Sequence, residues 1–308
     1  MRELAARGRH RCFDGDREVE AWLDAAAGGA AAGVEEGLGL FAYPGQSNLT
    51  GRRLPLGWAG RVRAAGRGRG PLRDTYCLLD AAALAMTSSM GVVFANPEAA
   101  PDFVCVSFYK IFGFPDLGAL VVRRDSGHIL ALRKYFGGGT VSMVSTVGEA
   151  WHTSKGLEGA MGGAGAEEYH GGALHEGLED GTLPFHSIIA LGEAIDVHSE
   201  LYGSMESISA YTTALSRRMY VGMRGLRYGN GHPLCKVYED EDGGTAYGDP
   251  ERQGATIAFN IFRADGGYEP YATVERLANE RGVYVRSGGK SDSWLLTSEK
   301  GGGLALTV

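Results

Sequence analysis

Asp80 closes the apolar run YCLLD (76–80), and Lys110 stands two residues beyond a second such run, DFVCVSF (102–108). Short, nearly continuous apolar runs suit strands buried on both faces of an α/β sheet. Ligands in open α/β sheets bind at the carboxyl ends of the strands, so both side chains are placed to converge on one crevice. A lysine set between an apolar stretch and the Gly/Pro turn of KIFGFP is a candidate for a rigidly placed, partly desolvated amine, as Schiff-base chemistry requires. Facing such an amine, a carboxylate completes what pyridoxal 5'-phosphate (PLP) needs: the lysine takes the aldehyde, and the carboxylate pairs with the pyridinium nitrogen. Two plainer readings stay open from spacing alone. Asp at a strand end also caps helices, and a lone lysine is usually solvated.

The elements that must position these residues follow from pattern. LFAY (40–43), YCLLD, DFVCVSF and LGALVVR (117–123) read as strands of the sheet. HSIIALGEAIDVHSELYG (186–203) and SMESISAYTTALSRRMYVGMRG (204–225) carry apolar residues at helical spacing. Beyond them CKVYED, ATIAFNIF and VYVR read as strands, and ATVERLANERG as a helix ending at Gly282. The order is that of a sheet, then long helices, then a smaller α+β unit. Glycine, 49 residues in all, concentrates in 24–37 and 156–177, which read as low-complexity surface insertions. GRVRAAGRGRGPLR (60–73) reads as a short basic loop; it lacks the aromatic interleaving of an RNA-binding tract.

Composition bounds the partners. With 308 residues, 44% apolar and 22% charged, the chain is long enough for a substantial core and has the balance of a soluble globular protein. A net charge of −7 argues against nucleic acid or an anionic membrane as the main partner. The four cysteines (Cys12, Cys77, Cys105, Cys235) are widely spaced, as free thiols in a reducing compartment are, and suggest neither a disulfide framework nor a metal site. No apolar run is free enough of polar residues to read as a membrane span, and the expected compartment is the cytoplasm.

LFAYPGQSNLTGRRLPLGW, LLDAAA, SFYKIFGFPDLGAL, YFGGGTVSM and LEDGTLPFHSIIALGEAID resemble the N-terminal desulfurase domain of the molybdenum cofactor sulfurases, a branch of the class V aminotransferases. The resemblance runs, with interruptions, from the first residues to about Gly288. It implies a PLP-dependent transferase of fold type I: a partial large domain with a mixed, mostly parallel sheet, and a small C-terminal α+β domain. The implied division is an N-terminal remnant over 1–38, a PLP-binding large domain over 39–190, a small domain over 191–288 and a divergent tail over 289–308.

By position, the resemblance implies that Lys110 is the Schiff-base lysine and Cα base, and that Asp80 pairs with the ring nitrogen. Asn48 would bond the ring hydroxyl, and Ser107 and Tyr109 the phosphate. Thr182 would reach the phosphate of the other subunit's cofactor, which implies a homodimer. Arg286 would hold the substrate carboxylate. Each has a plainer rival: Asn48 as a turn residue, Thr182 as a helix cap, Ser107 as a satisfied core hydroxyl, Gly137–Gly139 as a flexible turn. The implied activity is desulfuration of L-cysteine, with the molybdenum cofactor as sulfur acceptor.

Three departures from the pattern set an alternative beside it. MRELAARG resembles family sequence already inside the large domain; Ala83 stands where many cysteine desulfurases have glutamine; and RSGGKSDSWLLTSEKGGGLALTV carries no cysteine where the family's persulfide loop begins. The alternative is a catalytically inactive, truncated relative.

Overall fold

The computed structural model describes residues 10–29, 37–67, 70–133, 135–155, 174–239, 246–287 and 304–307. In chain order the elements are α1 (Asp16–Ala27), β1 (Gly39–Pro44), α2 (Trp58–Gly66), β2 (Thr75–Asp80), α3 (Gly91–Phe94), β3 (Phe103–Ser107), α4 (Phe108–Phe112) and β4 (Gly118–Val122). There follow β5 (Val141–Ser145), β6 (Trp151–Ser154), α5 (Phe185–Tyr202), α6 (Met205–Gly225), β7 (Cys235–Tyr238), β8 (Thr256–Ile261), α7 (Tyr271–Asn279), β9 (Arg286–Ser287) and β10 (Leu304–Thr307). No helix among the described residues is long and apolar enough to cross a membrane.

The first sheet has the order β1-β2-β3-β4. β1, β2 and β3 run parallel, and β4 returns antiparallel at the edge. One face packs on α1 and α2: Phe41, Tyr43, Cys77, Leu79 and Val104 meet Val19, Leu23, Trp58 and Val62 in one apolar cluster. Leu79 and Trp58 are almost wholly buried, and each such side chain contributes about 1.5–3 kcal/mol by leaving water. The sheet's other face carries Tyr76, Leu78 and Asp80 on β2 and Cys105 and Ser107 on β3, since side chains alternate along a strand and Asp80 lies opposite Cys105.

Helix α2 corrects the reading of 60–73 as a loop over 60–66; 70–73 remain outside any helix or strand. Trp58, Ala59 and Val62 form one apolar stripe that enters the core, while Arg61 pairs with Glu20 and Asp24, and Arg63 with Asp102. Glycine and arginine in the composition hid a stripe of only three residues. Likewise 24–27, read as insertion, is the last turn of α1, with Ala26 buried; 30–36 and 156–173 lie outside the described residues.

Asp102 anchors the start of β3. Its carboxylate is 3% exposed and lies 2.8 Å from Arg63 Nη1. It also accepts the Ser126 hydroxyl at 2.6 Å and the Cys77 N–H at 2.7 Å. Every partner supports a buried charge, so removing one should be felt. Ser126→Ala is expected to cost about 2 kcal/mol, the worth of a buried hydrogen bond to a charged group. A loss of stability below about 0.5 kcal/mol, read from the urea midpoint at unchanged slope, would count against this account.

The second sheet has the order β7-β8-β10-β9, all antiparallel. Residues 304–307, expected to be divergent tail, form the strand between β8 and β9. β8 is buried from Thr256 to Asn260, and a buried strand needs hydrogen-bond partners for its backbone on both sides. VYVR is strand only from Arg286. Ahead of it the Val283 N–H returns to the Ala278 carbonyl and Gly282 takes a left-handed φ of 73°, closing the end of α7. The two long helices expected from periodicity are α5 and α6, with Ser204 capping α6 through the Ser207 N–H.

Candidate functional site

Asp80 ends β2 at the carboxyl edge of the first sheet and is exposed. Its Oδ1 accepts the Ala82 N–H at 3.0 Å, a local turn bond that uses one oxygen; the plainer role of helix cap is not realised, since the helical turn Leu84–Met86 has Ala83 at its cap position and no side-chain cap. Beside it in register is Cys105, whose thiol is pushed up from its ordinary value by burial and then by the charge of Asp80. From the parallel neighbour on the other side, the Gly45 N–H donates to the Asp80 carbonyl at 2.8 Å and draws in the loop that carries Asn48. Asn48 is exposed in a turn held by the Ser47 hydroxyl, which accepts the N–H groups of Leu49 and Thr50 at 3.3 and 3.1 Å.

β3 ends at Ser107 and passes at once into the five-residue helix α4. Ser107 stands at the cap position without capping, half-buried, and so is not a satisfied core hydroxyl. Tyr109 and Lys110 occupy the second and third helical positions and are both exposed. The expectation of a partly desolvated lysine is thereby corrected: α4 packs through Phe108, Ile111 and Phe112, leaving the two polar residues outside. Gly113, at φ 76°, ends the helix with its N–H on the Tyr109 carbonyl, a conformation that favours glycine. Phe112 meets the His198 ring of α5 edge-on at 5.1 Å, and α4 also lies against the turn Leu84–Met86 that follows Asp80.

The structure therefore brings Asn48, Asp80, Ser107, Tyr109 and Lys110 to one end of one sheet. Thr182 and Arg286 come from elsewhere, and neither makes a hydrogen bond or ion pair with that group among the described residues. Thr182 is exposed, and its rival role is not realised: the cap position of α5 is Pro184, with no side-chain cap. Arg286 is exposed on β9, where its neighbour Ser287 donates to Glu275 at 2.7 Å. The donor set fits PLP: an amine, and a carboxylate with one oxygen left over, rise from adjacent strand ends beside two hydroxyls. A cleft of about 400 Å³ lies elsewhere, among Asp16, Arg52, Arg53, Tyr238, Tyr247 and Gln253, and none of the seven predicted residues lines it.

Sequence reasoning missed Arg133 and Asp180. The Arg133 guanidinium reaches both Asp180 oxygens, at 2.8 and 3.0 Å, and lies 4.5 Å over the Phe136 ring. Gly137 and Gly139 lie close against the Asp180–Gly181 stretch. A Cβ on Gly137 would sit 2.7 Å from Asp180 Cβ, and one on Gly139 would sit 2.9 Å from the Gly181 nitrogen. The signal was in GGGT and EDGT, two glycine motifs about 40 residues apart that need each other's missing side chains.

No family model matches the chain. It is 46% identical over 287 residues to the molybdenum cofactor sulfurase of Aspergillus niger, covering 93% of this chain and 31% of that relative. It is 47% identical over 279 residues to that of Botryotinia fuckeliana, covering 91% of this chain and 32% of that relative. The chain is homologous to one stretch of the molybdenum cofactor sulfurases. It spans about a third of the length of the curated relatives it matches. Among solved structures, the apo cysteine desulfurase of Thermococcus onnurineus matches with a TM-score of 0.59 at 17% identity, over 93% of this chain and 57% of that one. A C-DES variant with glycine covalently linked to its PLP cofactor matches with a TM-score of 0.56 at 16% identity, over 92% of this chain and 59% of that one. The fold is thus that of the cysteine desulfurases, fold type I, with a mixed, mostly parallel sheet.

Proposed function

We propose that this chain is the PLP-binding part of a sulfur-mobilising unit of the molybdenum cofactor sulfurase kind, acting on L-cysteine in the cytoplasm as a homodimer. The observation that carries the reading is the placement of Asp80 and the Lys110 helix at the carboxyl ends of adjacent parallel strands, in a fold shared with cysteine desulfurases. In this reading residues 39–190 hold the cofactor and 191–288 form the small domain.

PLP, when bound, supplies an electron sink for the bond broken at the substrate Cα. Lys110 Nζ would hold the cofactor by its aldehyde and would serve as the base for the Cα proton. Asp80 would hold the ring nitrogen, to which it offers a fixed negative charge. Asn48 would hold the ring hydroxyl, Ser107 and Tyr109 would hold the phosphate, and Thr182 would do so across the subunit boundary. Arg286 takes the substrate carboxylate with its bidentate fork. The sulfur's onward acceptor is the molybdenum cofactor, reached through a thiol that is none of the cysteines at this site.

The test is direct. Protein mixed with PLP and reduced with borohydride is digested and mapped by mass spectrometry. The label is expected on Lys110; a label spread over surface lysines, with Lys110 unmodified, would sink the reading.

A further inference from the structure

Around Arg133 a small network joins two stretches of chain that are far apart in sequence. Besides gripping Asp180, Arg133 Nη2 donates to the Gly177 carbonyl at 2.8 Å and to Thr140 Oγ1 at 3.2 Å. Asp180 Oδ1 accepts the Gly137 N–H at 2.6 Å and the Thr140 hydroxyl at 3.1 Å. Thr140 is wholly buried. These bonds hold Asp180 below the usual carboxylate range, with the Arg133 hydrogen bond the largest cause.

Two residues past the network stands Thr182. Between them Gly181 has a φ of 91°, where a side chain would be strained, so the path from Asp180 to Thr182 is set by that backbone. Thr182 is exposed, does not cap α5, and makes no hydrogen bond with a described residue.

We infer that Arg133 and Asp180 are a positioning pair: their clasp fixes Gly137–Gly139 against Asp180–Gly181 and so holds the Thr182 hydroxyl where it can donate to a phosphate. The inference rests on the proposed function, with PLP as the source of that phosphate. Neither residue touches the cofactor; both act through Thr182.

The phosphate contribution is isolated by comparing PLP with pyridoxal, which has the aldehyde and ring but no phosphate. Dissociation constants for both are measured by equilibrium dialysis on the whole chain, wild type and Thr182→Val, Asp180→Asn, Arg133→Lys and Lys110→Ala. Thr182→Val is expected to lower the preference for PLP over pyridoxal about tenfold, the worth of one hydrogen bond to a charged group. Asp180→Asn should lower it by a similar factor, and the double variant by no more than either alone. Arg133→Lys, which keeps the charge but loses the fork, serves should Asp180→Asn not fold, and is expected to behave the same way. A merely structural role would weaken both aldehydes equally. Equal weakening, or a preference that falls in Thr182→Val but stays at the wild-type value in Asp180→Asn and Arg133→Lys, would overturn the inference and leave the functional reading standing. Reducible attachment of both aldehydes that persists undiminished in Lys110→Ala would overturn the reading, and this inference with it.

Discussion

Lys110→Ala should abolish borohydride-fixed attachment of PLP, whereas Asp80→Asn should keep the attachment and lose the chemistry that follows it. Attachment needs only an amine at the right place, and α4 supplies one through Lys110. Proton removal at Cα needs the ring nitrogen to stay protonated, which requires a fixed negative charge, and asparagine has the shape of aspartate without it. The substituted amide would still accept the Ala82 N–H that Asp80 Oδ1 accepts at 3.0 Å, so the local turn should survive. The expected loss is on the order of 10²–10³ in the rate of deuterium exchange at the cysteine Cα, the usual cost of removing one preorganised electrostatic group. Measuring both readouts on both variants separates the two roles. Exchange that survives in Asp80→Asn at the wild-type rate would remove the aspartate from the assignment, and attachment that survives in Lys110→Ala would remove the lysine.

Much of this site was legible because parallel strands have a plain signature. Runs buried on one face and crowded on the other stay apolar almost throughout, so YCLLD and DFVCVSF gave themselves away, and the strand-end rule placed Asp80 and Lys110 at one edge. The exposure of Lys110 was not legible: it depends on which side of a five-residue helix faces the body, and so short a helix has no period to read. The basic stretch 60–73 misled for the opposite reason. Its helix is amphipathic, but its polar side is arginine held in ion pairs to Glu20, Asp24 and Asp102, partners that are distant in sequence. The Arg133–Asp180 clasp joins residues 47 positions apart, and no local rule connects them. Strand β10 was hidden similarly, since what makes 304–307 a strand is the open side of β8.

With L-cysteine and PLP, this chain is expected to form no alanine and no sulfide at an enzymatic rate, although Cα exchange proceeds. Sulfur transfer needs a thiolate that can reach the substrate γ-sulfur, and it is the thiolate, not the thiol, that attacks. Cys77 is fully buried on the α1/α2 face, and burial, reinforced by Asp102, pushes its thiol far above the ordinary value. Cys235 is pushed up by burial, partly offset by Arg227, and its thiol donates to the Met223 carbonyl at 3.0 Å. Cys105 is on the correct face, but the Asp80 charge that the reaction needs adds to the burial that keeps its thiol protonated. A raised thiol pKa means that near neutral pH the protonated form dominates, and the nucleophile becomes abundant only as pH climbs past the shifted value. Cys12 is exposed, yet the adjoining Phe13 packs on Trp22 and Phe41, which belong to the sheet face opposite Asp80. Position excludes Cys12 and Cys77, the raised thiol disfavours Cys105 as a nucleophile, and burial in the second sheet removes Cys235. Alanine and sulfide are followed beside deuterium exchange at Cα, with persulfide mapped on all four cysteines. Stoichiometric persulfide on any of them, formed in step with alanine, would restore a complete desulfurase within this chain.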